Sequence, residues 1–465
     1  MTEVFPLTAF AAAMAALIFW LQPGEVEALR LRIPSGNAAA APERRTDPEN
    51  RNRGTLVSGR GKPAQDQGVW NRFRGPDAAN IAADTGLLRR FPDKGPDVLW
   101  KKRLGEGHAG AAVYRGRVYT VDYDREKKED VIRCFSLENG EDIWAYSYYV
   151  KIKRNHGMSR TIPSVTSKYI VSIGPMCHVT CLDSKTGELL WKKDLVKEYG
   201  TTVPPWYTGQ CPLIDGDAVI LAPGGTDVLM VKVDIETGSE LWSTDNPGSW
   251  EMTHSSPVFI TVSGIRQYVY CASKGVAGVS AADGHILWKD TSWRINPANV
   301  PTPVSAGEGR ILLTGGYGAG SRMIRLAVRG DTIKVREVFR CKPRVFGSEQ
   351  QTPILYGKHV YGVIPSGELA CITLDGKQVW RSGRSDRYGL GPYCIADGMI
   401  YVVNDQKGTL HLVEASPAGF REITRTRVLE GHDAWAPMAL VSGRLILRDL
   451  HDMVCIDIKG ERGNE

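Results

Sequence analysis

The sequence predicts an all-β, eight-bladed β-propeller built from four-stranded antiparallel blades. Three observations predict it. One phrase recurs along the chain, an acidic or polar residue, then Gly, then two or three residues ending in an aliphatic and Trp: "LENGEDIW", "DSKTGELLW", "DIETGSELW", "AADGHILW" and "LDGKQVW". Composition agrees, because 50 Gly and 26 Pro among 465 residues suit a chain of many tight turns better than one of long helices. Finally, the last unit lacks its Trp strand, and a strand of that kind, "DVLWKKRL", stands before the first unit.

The phrases end at Trp144, Trp191, Trp242, Trp288 and Trp380, so the spacings are 47, 51, 46 and 92 residues, the last being two units. Degenerate copies fill the gaps, "VRGDTIKVREVF" ending at Phe339 and "ASPAGFREI" ending at Ile423. Each phrase reads as a hairpin, since Thr-Gly or Asp-Gly supplies the positive φ of a tight turn and the next strand ends in Trp. Two further strands precede each hairpin, at turns such as "YRGRVY", "IDGDAVIL" and "ADGMIYVV". Four strands in roughly 40 to 50 residues is the period of a propeller blade.

First strands are expected near Ala111, Ile162, Cys211, Ser256, Thr302, Thr352, Pro392 and Ala436, which makes eight blades. Trp100 then completes the last blade and leaves no open sheet edge. Cys134, Cys181, Cys371 and Cys455 share one repeat position, so each reads as a small buried residue. With nine Cys and no CxxC or zinc spacing, neither a disulfide framework nor a metal knuckle is expected.

The amino-terminal part divides into three. Residues 1–33 hold an uncharged run, Val4 to Leu21, long enough for a signal sequence or a membrane anchor. Residues 34–67, almost without large apolar groups, read as a disordered linker. Residues 68–97 read as a lead-in segment that packs on the propeller of residues 98–465.

The repeated phrase is similar to the tryptophan-docking motif of the pyrroloquinoline-quinone-like (quinoprotein-like) propeller repeat, over roughly residues 98–461. "WNRFRGPDAANIAADTGLL" followed by "LWKKRLGEGHAG" resembles the lead-in of propellers from planctomycete-type bacteria. The resemblance implies that Trp100, Trp144, Trp191, Trp242, Trp288 and Trp380 pack between blades. It also implies two functional branches. Quinoprotein alcohol dehydrogenases hold pyrroloquinoline quinone with calcium above the axis, whereas the propeller lipoprotein of the outer-membrane barrel assembly machinery binds protein partners without a cofactor.

The enzyme branch is matched poorly: there is no adjacent Cys pair, no CxxCH for a haem domain, and the loop acids do not follow the dehydrogenase motifs residue by residue. The expectation is therefore an exported or membrane-tethered scaffold on the periplasmic side of the cell envelope, monomeric, without bound cofactor and without catalytic residues. A quinoprotein oxidoreductase with calcium and a glycan-binding propeller are the alternatives.

Function is sought in the loops that join one blade to the next. They carry His108, His156, His254 and His432 together with Trp206, Trp250, Trp293 and Trp435. Windows 151–160, 340–350 and 381–388 hold ten Lys or Arg against Glu349 and Asp386, whereas the whole chain carries only +6. If these loops share a face, an anionic partner is expected there, with Arg160, Arg344, Arg384 and Arg387 as contacts. Nucleic acid is not expected, and no GxSxG or HExxH points to hydrolysis.

Overall fold

A computed structural model describes residues 54–330 and 332–460. Residues 1–53, which include the apolar run from Val4, lie outside the described residues.

The strands form eight antiparallel sheets in a ring, with the innermost strand first in sequence in every blade. Blade 1 comprises Ala112–Tyr114, Arg117–Asp124, Glu129–Ser136 and Asp142–Tyr149. Seven further blades begin at Ser164, Leu213, Val258, Val304, Ile354, Tyr393 and Ala439, within three residues of the positions expected from the repeat. Blade 8 is closed by the amino-terminal strand Val98–Arg103, which pairs with Asp452–Asp457 so that Trp100 faces Cys455. The split unit is thus the ring's fastener.

Strands in the middle of a blade are buried on both faces, as the third strand Gly275–Ser280 illustrates, and outer strands alternate toward solvent, as in Val98–Arg103. Each blade carries a register shift in its third strand next to the motif position, for example between Cys181 and Leu182 and between Gly278 and Val279. Such a bulge increases local twist and turns the outer strand toward the neighbouring blade. Small residues stand opposite the large ones: Cys134, Cys181, Cys371 and Cys455 face Trp144, Trp191, Trp380 and Trp100. All nine cysteines are buried and free.

The tryptophans dock onto the next blade. The indole N–H of Trp100 donates to Leu137 O (3.0 Å), that of Trp191 to Ile235 O (2.8 Å) and that of Trp380 to Ser416 O (2.8 Å). The turn glycine of the next blade lies on the same ring, so a Cβ at Gly238 would come within 2.8 Å of Trp191 and one at Gly284 within 2.5 Å of Trp242. Asp183 holds its turn by accepting from the N–H groups of Lys185 and Thr186, each at 2.8 Å.

Two findings concern the lead-in. Within the stretch expected to be a disordered linker, Thr55–Ser58 adds a strand to the outer edge of blade 1, in register with Asp142–Tyr149. Its four side chains are exposed. Main-chain pairing holds it, and a composition argument that counts apolar burial is blind to that.

Residues 69–82 form a strap from one side of the ring to the other. Val69–Trp70 pairs with the inner strand of blade 1, and Asn71 exchanges hydrogen bonds with Val165 of blade 2. Arg74 reaches across to Thr352 O (2.7 Å) and Pro353 O (3.0 Å) of blade 6. Asn80 Nδ2 donates to Tyr393 O, and Ile81–Ala82 runs parallel to the inner strand of blade 7. Arg74, Ala78 and Asn80 all adopt positive φ (67°, 53° and 62°), the geometry that lets so short a segment turn repeatedly.

Candidate functional site

Above the strap, all eight interblade loops converge on a cavity of about 270 Å³. In ring order they contribute His108, His156 with Arg160, Trp206, His254, Val300, Glu349 with Gln350 and Gln351, Leu390, and Trp435. Tyr317, from a turn within blade 5, reaches the same wall. Phe73 of the strap and Cys211 line this cavity and also a second one of about 250 Å³, so they are the partition between the two.

Two imidazole–indole pairs shape the walls. His108 lies 4.7 Å from Trp435, centroid to centroid, tilted by 34°, and His254 lies 6.2 Å from Trp206. Burial, reinforced by the charges of Arg160 and Arg448, brings the pKa of His108 down to about 3. Burial and Arg160 bring that of His254 down to about 4. Both rings are therefore neutral at physiological pH. His108 Nε2 is 2.9 Å from the carbonyl of His156. A carbonyl only accepts, so that nitrogen carries the proton.

Arg160 ties two loops together. Its Nε donates to Trp206 O (2.5 Å), and its Nη2 to His156 O (2.7 Å) and Asn155 O (3.1 Å). No carboxylate pairs with it among the described residues. Burial lowers its pKa to about 10, which still leaves it cationic near neutrality. Across the cavity, Glu349 is half-buried, and burial raises its pKa.

The backbone is unusual at this mouth. His156, Trp206, Tyr207, Tyr317 and Asp433 hold φ between 50° and 73°, a region sparsely populated by residues other than Gly. Such conformations persist only where the surroundings over-determine them, and they cluster at ligand sites.

Of the residues expected at a ligand face, His108, His156, Arg160, Trp206, His254 and Trp435 stand together in this wall. Trp250 and Trp293 do not, being buried in interblade cores. Trp250 is turned inward by Asn246, which accepts from its backbone N–H (2.9 Å) and donates to its carbonyl (3.0 Å). His432 is exposed and pairs with Asp433 at 3.1 Å. Arg344, Arg384 and Arg387 are exposed on loops that also bring Glu349 and Leu390 to the cavity. The three basic windows therefore do share one mouth.

Phe73, Tyr317, Gln350 and Gln351 were not singled out by the sequence, since nothing in their wording marks them.

A quinone carrying three carboxylates, with calcium, needs several hard oxygen donors converging on the mouth. This cavity offers one carboxylate, Glu349, and among the described residues no three His, Cys, Asp or Glu side chains gather as a metal site. The donor set does not fit that group.

The profile of the family described as outer membrane protein assembly factor BamB matches residues 127–382, more than half of the chain. Among solved structures, BamB from Moraxella catarrhalis is 13% identical, with 78% of this chain and 99% of that one covered and a TM-score of 0.53. A europium-containing methanol dehydrogenase is 12% identical, with 82% and 89% covered and a TM-score of 0.59. The computationally designed protein Ika8 is 11% identical, with 78% and 100% covered and a TM-score of 0.50. Likeness at this level of identity is likeness of fold. No curated protein matches the chain.

Proposed function

Since the chain belongs to the family of outer membrane protein assembly factor BamB, with the pyrroloquinoline-quinone-like propeller repeat, we propose that it is a binding scaffold of the cell envelope that engages a protein partner at its axial mouth. The observation that carries this reading is the convergence of all eight interblade loops on one small cavity of paired imidazoles and indoles. Aromatic groups around a concave, largely apolar site are the usual makings of a recognition pocket.

Chemistry has little to work with there. The cavity's one thiol, that of Cys211, is pushed up to about 11 by burial, and Glu349 is its only carboxylate. The family and the apolar run Val4 to Leu21, which would export or tether the propeller, support a cell-envelope location. No helix among the described residues is long and apolar enough to cross a membrane.

Two measurements test the reading. A photo-cross-linking residue at Gln350, on the mouth, is expected to trap a discrete polypeptide in intact cells, and one at Lys185, on the opposite face, is not. Incubation with pyrroloquinoline quinone and calcium followed by gel filtration is expected to leave no quinone with the protein. Stoichiometric retention with alcohol-dependent dye reduction would establish an oxidoreductase instead.

A further inference from the structure

Three features of the mouth, taken together, go beyond a generic binding face. The first is the floor. The strap crosses from blade 2 to blade 6, and its Phe73 stands between the upper cavity and a second one lined by the strap and blades 3 to 5, so the upper one is a floored socket. A chain cannot thread it. At about 270 Å³ it lies just under the range of roughly 300–1,000 Å³ typical of small-molecule pockets, room for the end of a chain and little more.

The second is the guanidinium of Arg160. Trp206 O occupies its Nε, and Asn155 O, His156 O and Gly157 O its Nη2, which fixes the fork, and Nη1 has no partner among the described residues. A half-buried cation balanced by carbonyl dipoles gains from an incoming anion, because the charged hydrogen bond forms partly screened from bulk water.

The third is a collar of cations. Lys151 and Lys153 stand on one side of the mouth, and Lys342, Arg344, Arg384 and Arg387 on the opposite side, all exposed and without an ion pair among the described residues.

We propose that the axial socket captures the carboxyl terminus of a partner polypeptide, an acidic tail ending in an apolar or aromatic residue. The terminal carboxylate pairs with Arg160, the last side chain packs among Phe73, Trp206 and Trp435, and acidic residues upstream lie against the collar. This rests on the reading of the mouth as a protein-binding site and names the chemistry it selects. A polypeptide end is favoured over an anionic glycan because each wall indole already has an imidazole against it, which leaves less open aromatic face for a sugar ring to stack on.

The test uses the purified full-length chain and two labelled hexapeptides of sequence Asp-Glu-Asp-Glu-Asp-Phe, one with a free carboxyl terminus and one amidated. The free peptide is expected to bind at least tenfold more tightly. Arg160→Lys, which keeps the charge and loses the fork, is expected to erase most of that ratio. Binding of both peptides is expected to weaken as salt rises from 50 to 300 mM.

A control independent of folding is Gln350→Cys, labelled after purification with a bulky maleimide. All nine native cysteines are buried, so the label goes to the mouth, and it is expected to abolish binding of the free peptide. Equal affinity for the two peptides, with binding still blocked by the label, overturns terminal capture and leaves the protein-binding mouth standing. Binding of neither peptide together with label-sensitive binding of a sulfated oligosaccharide overturns both.

Discussion

His108 packs against Trp435 across the seam where the ring closes, 4.7 Å between ring centroids. His108 follows the amino-terminal strand that completes blade 8, and Trp435 leads into that blade's innermost strand. One wall of the cavity is therefore also the join between the two ends of the propeller. Trp435 is further fixed by donating its indole N–H to Asp405 Oδ2 at 2.9 Å.

A double-mutant cycle measures that join. His108→Ala and Trp435→Ala, singly and together, are expected to show a coupling of about 0.5–1.5 kcal/mol in urea unfolding, the usual worth of a packed aromatic pair beyond its burial. Strict additivity would mean that the two rings are merely adjacent.

Acid should loosen the mouth. His108 and His254 titrate in the fold at about 3 and about 4 and near 6.5 when unfolded, so between these values the unfolded chain binds more protons. Their contribution to stability is complete above pH 6.5 and is lost as the pH falls toward 4. Unfolding free energies at pH 7.5 and 4.5 are expected to differ less in the His108→Gln, His254→Gln double variant than in the wild type.

Asp130 behaves in the opposite sense. It is fully buried between blades 1 and 2, accepts from Tyr148 Oη at 2.5 Å, and burial raises its pKa to about 7. The fold therefore holds its proton more tightly than the unfolded chain does, and the associated stability, complete only below the ordinary carboxyl range near 3.8, is lost as the pH rises from there through about 7. The stability of Asp130→Asn relative to the wild type is expected to increase between pH 5 and pH 8, on the order of 2 kcal/mol by denaturant unfolding. A relative stability that does not rise between these two pH values would refute the assignment.

The docking of tryptophan on glycine can be isolated by comparing two turns. Gly238 (φ 71°) and Gly264 (φ 80°) share the left-handed conformation, but a Cβ at Gly238 meets Trp191 at 2.8 Å whereas one at Gly264 meets nothing within 4 Å. Gly264→Ala pays only the backbone cost, about 1 kcal/mol. Gly238→Ala is expected to cost about 1–3 kcal/mol more, because a tightly packed interface cannot absorb the added carbon. Equal melting temperatures would show that the interblade contact is slack.

The strap hangs on Arg74, which is buried and donates to carbonyls of blade 6 and to its own turn at Ala78. Arg74→Met leaves those carbonyls without a donor and is expected to cost about 2–4 kcal/mol. Limited proteolysis should then cut within residues 71–80, where the wild type resists.

The blades were legible because their information is local and repeated. A turn glycine, a bulge and a tryptophan recur with the period of the unit, and even the closure followed from a missing strand at one end and a spare one at the other. The strap was not legible, because Arg74 and Asn80 bind main-chain carbonyls, and any sequence offers carbonyls. The mouth was half legible. Loop position alone brought His108, Arg160 and Trp206 into view, but it could not foretell that Asn246 would fold Trp250 back into the core, nor that Phe73 would arrive from outside the repeat to line the cavity.

Closure by Val98–Arg103 also sets an order of events during synthesis. That strand leaves the ribosome before any other part of blade 8, and its pairing partner, Asp452–Asp457, is among the last segments made. Until then Trp100 has no Cys455 to face. From the synthesis of Val98–Arg103 to that of Asp452–Asp457 the nascent chain carries an unpaired, tryptophan-bearing edge, and in that interval it most needs protection from aggregation.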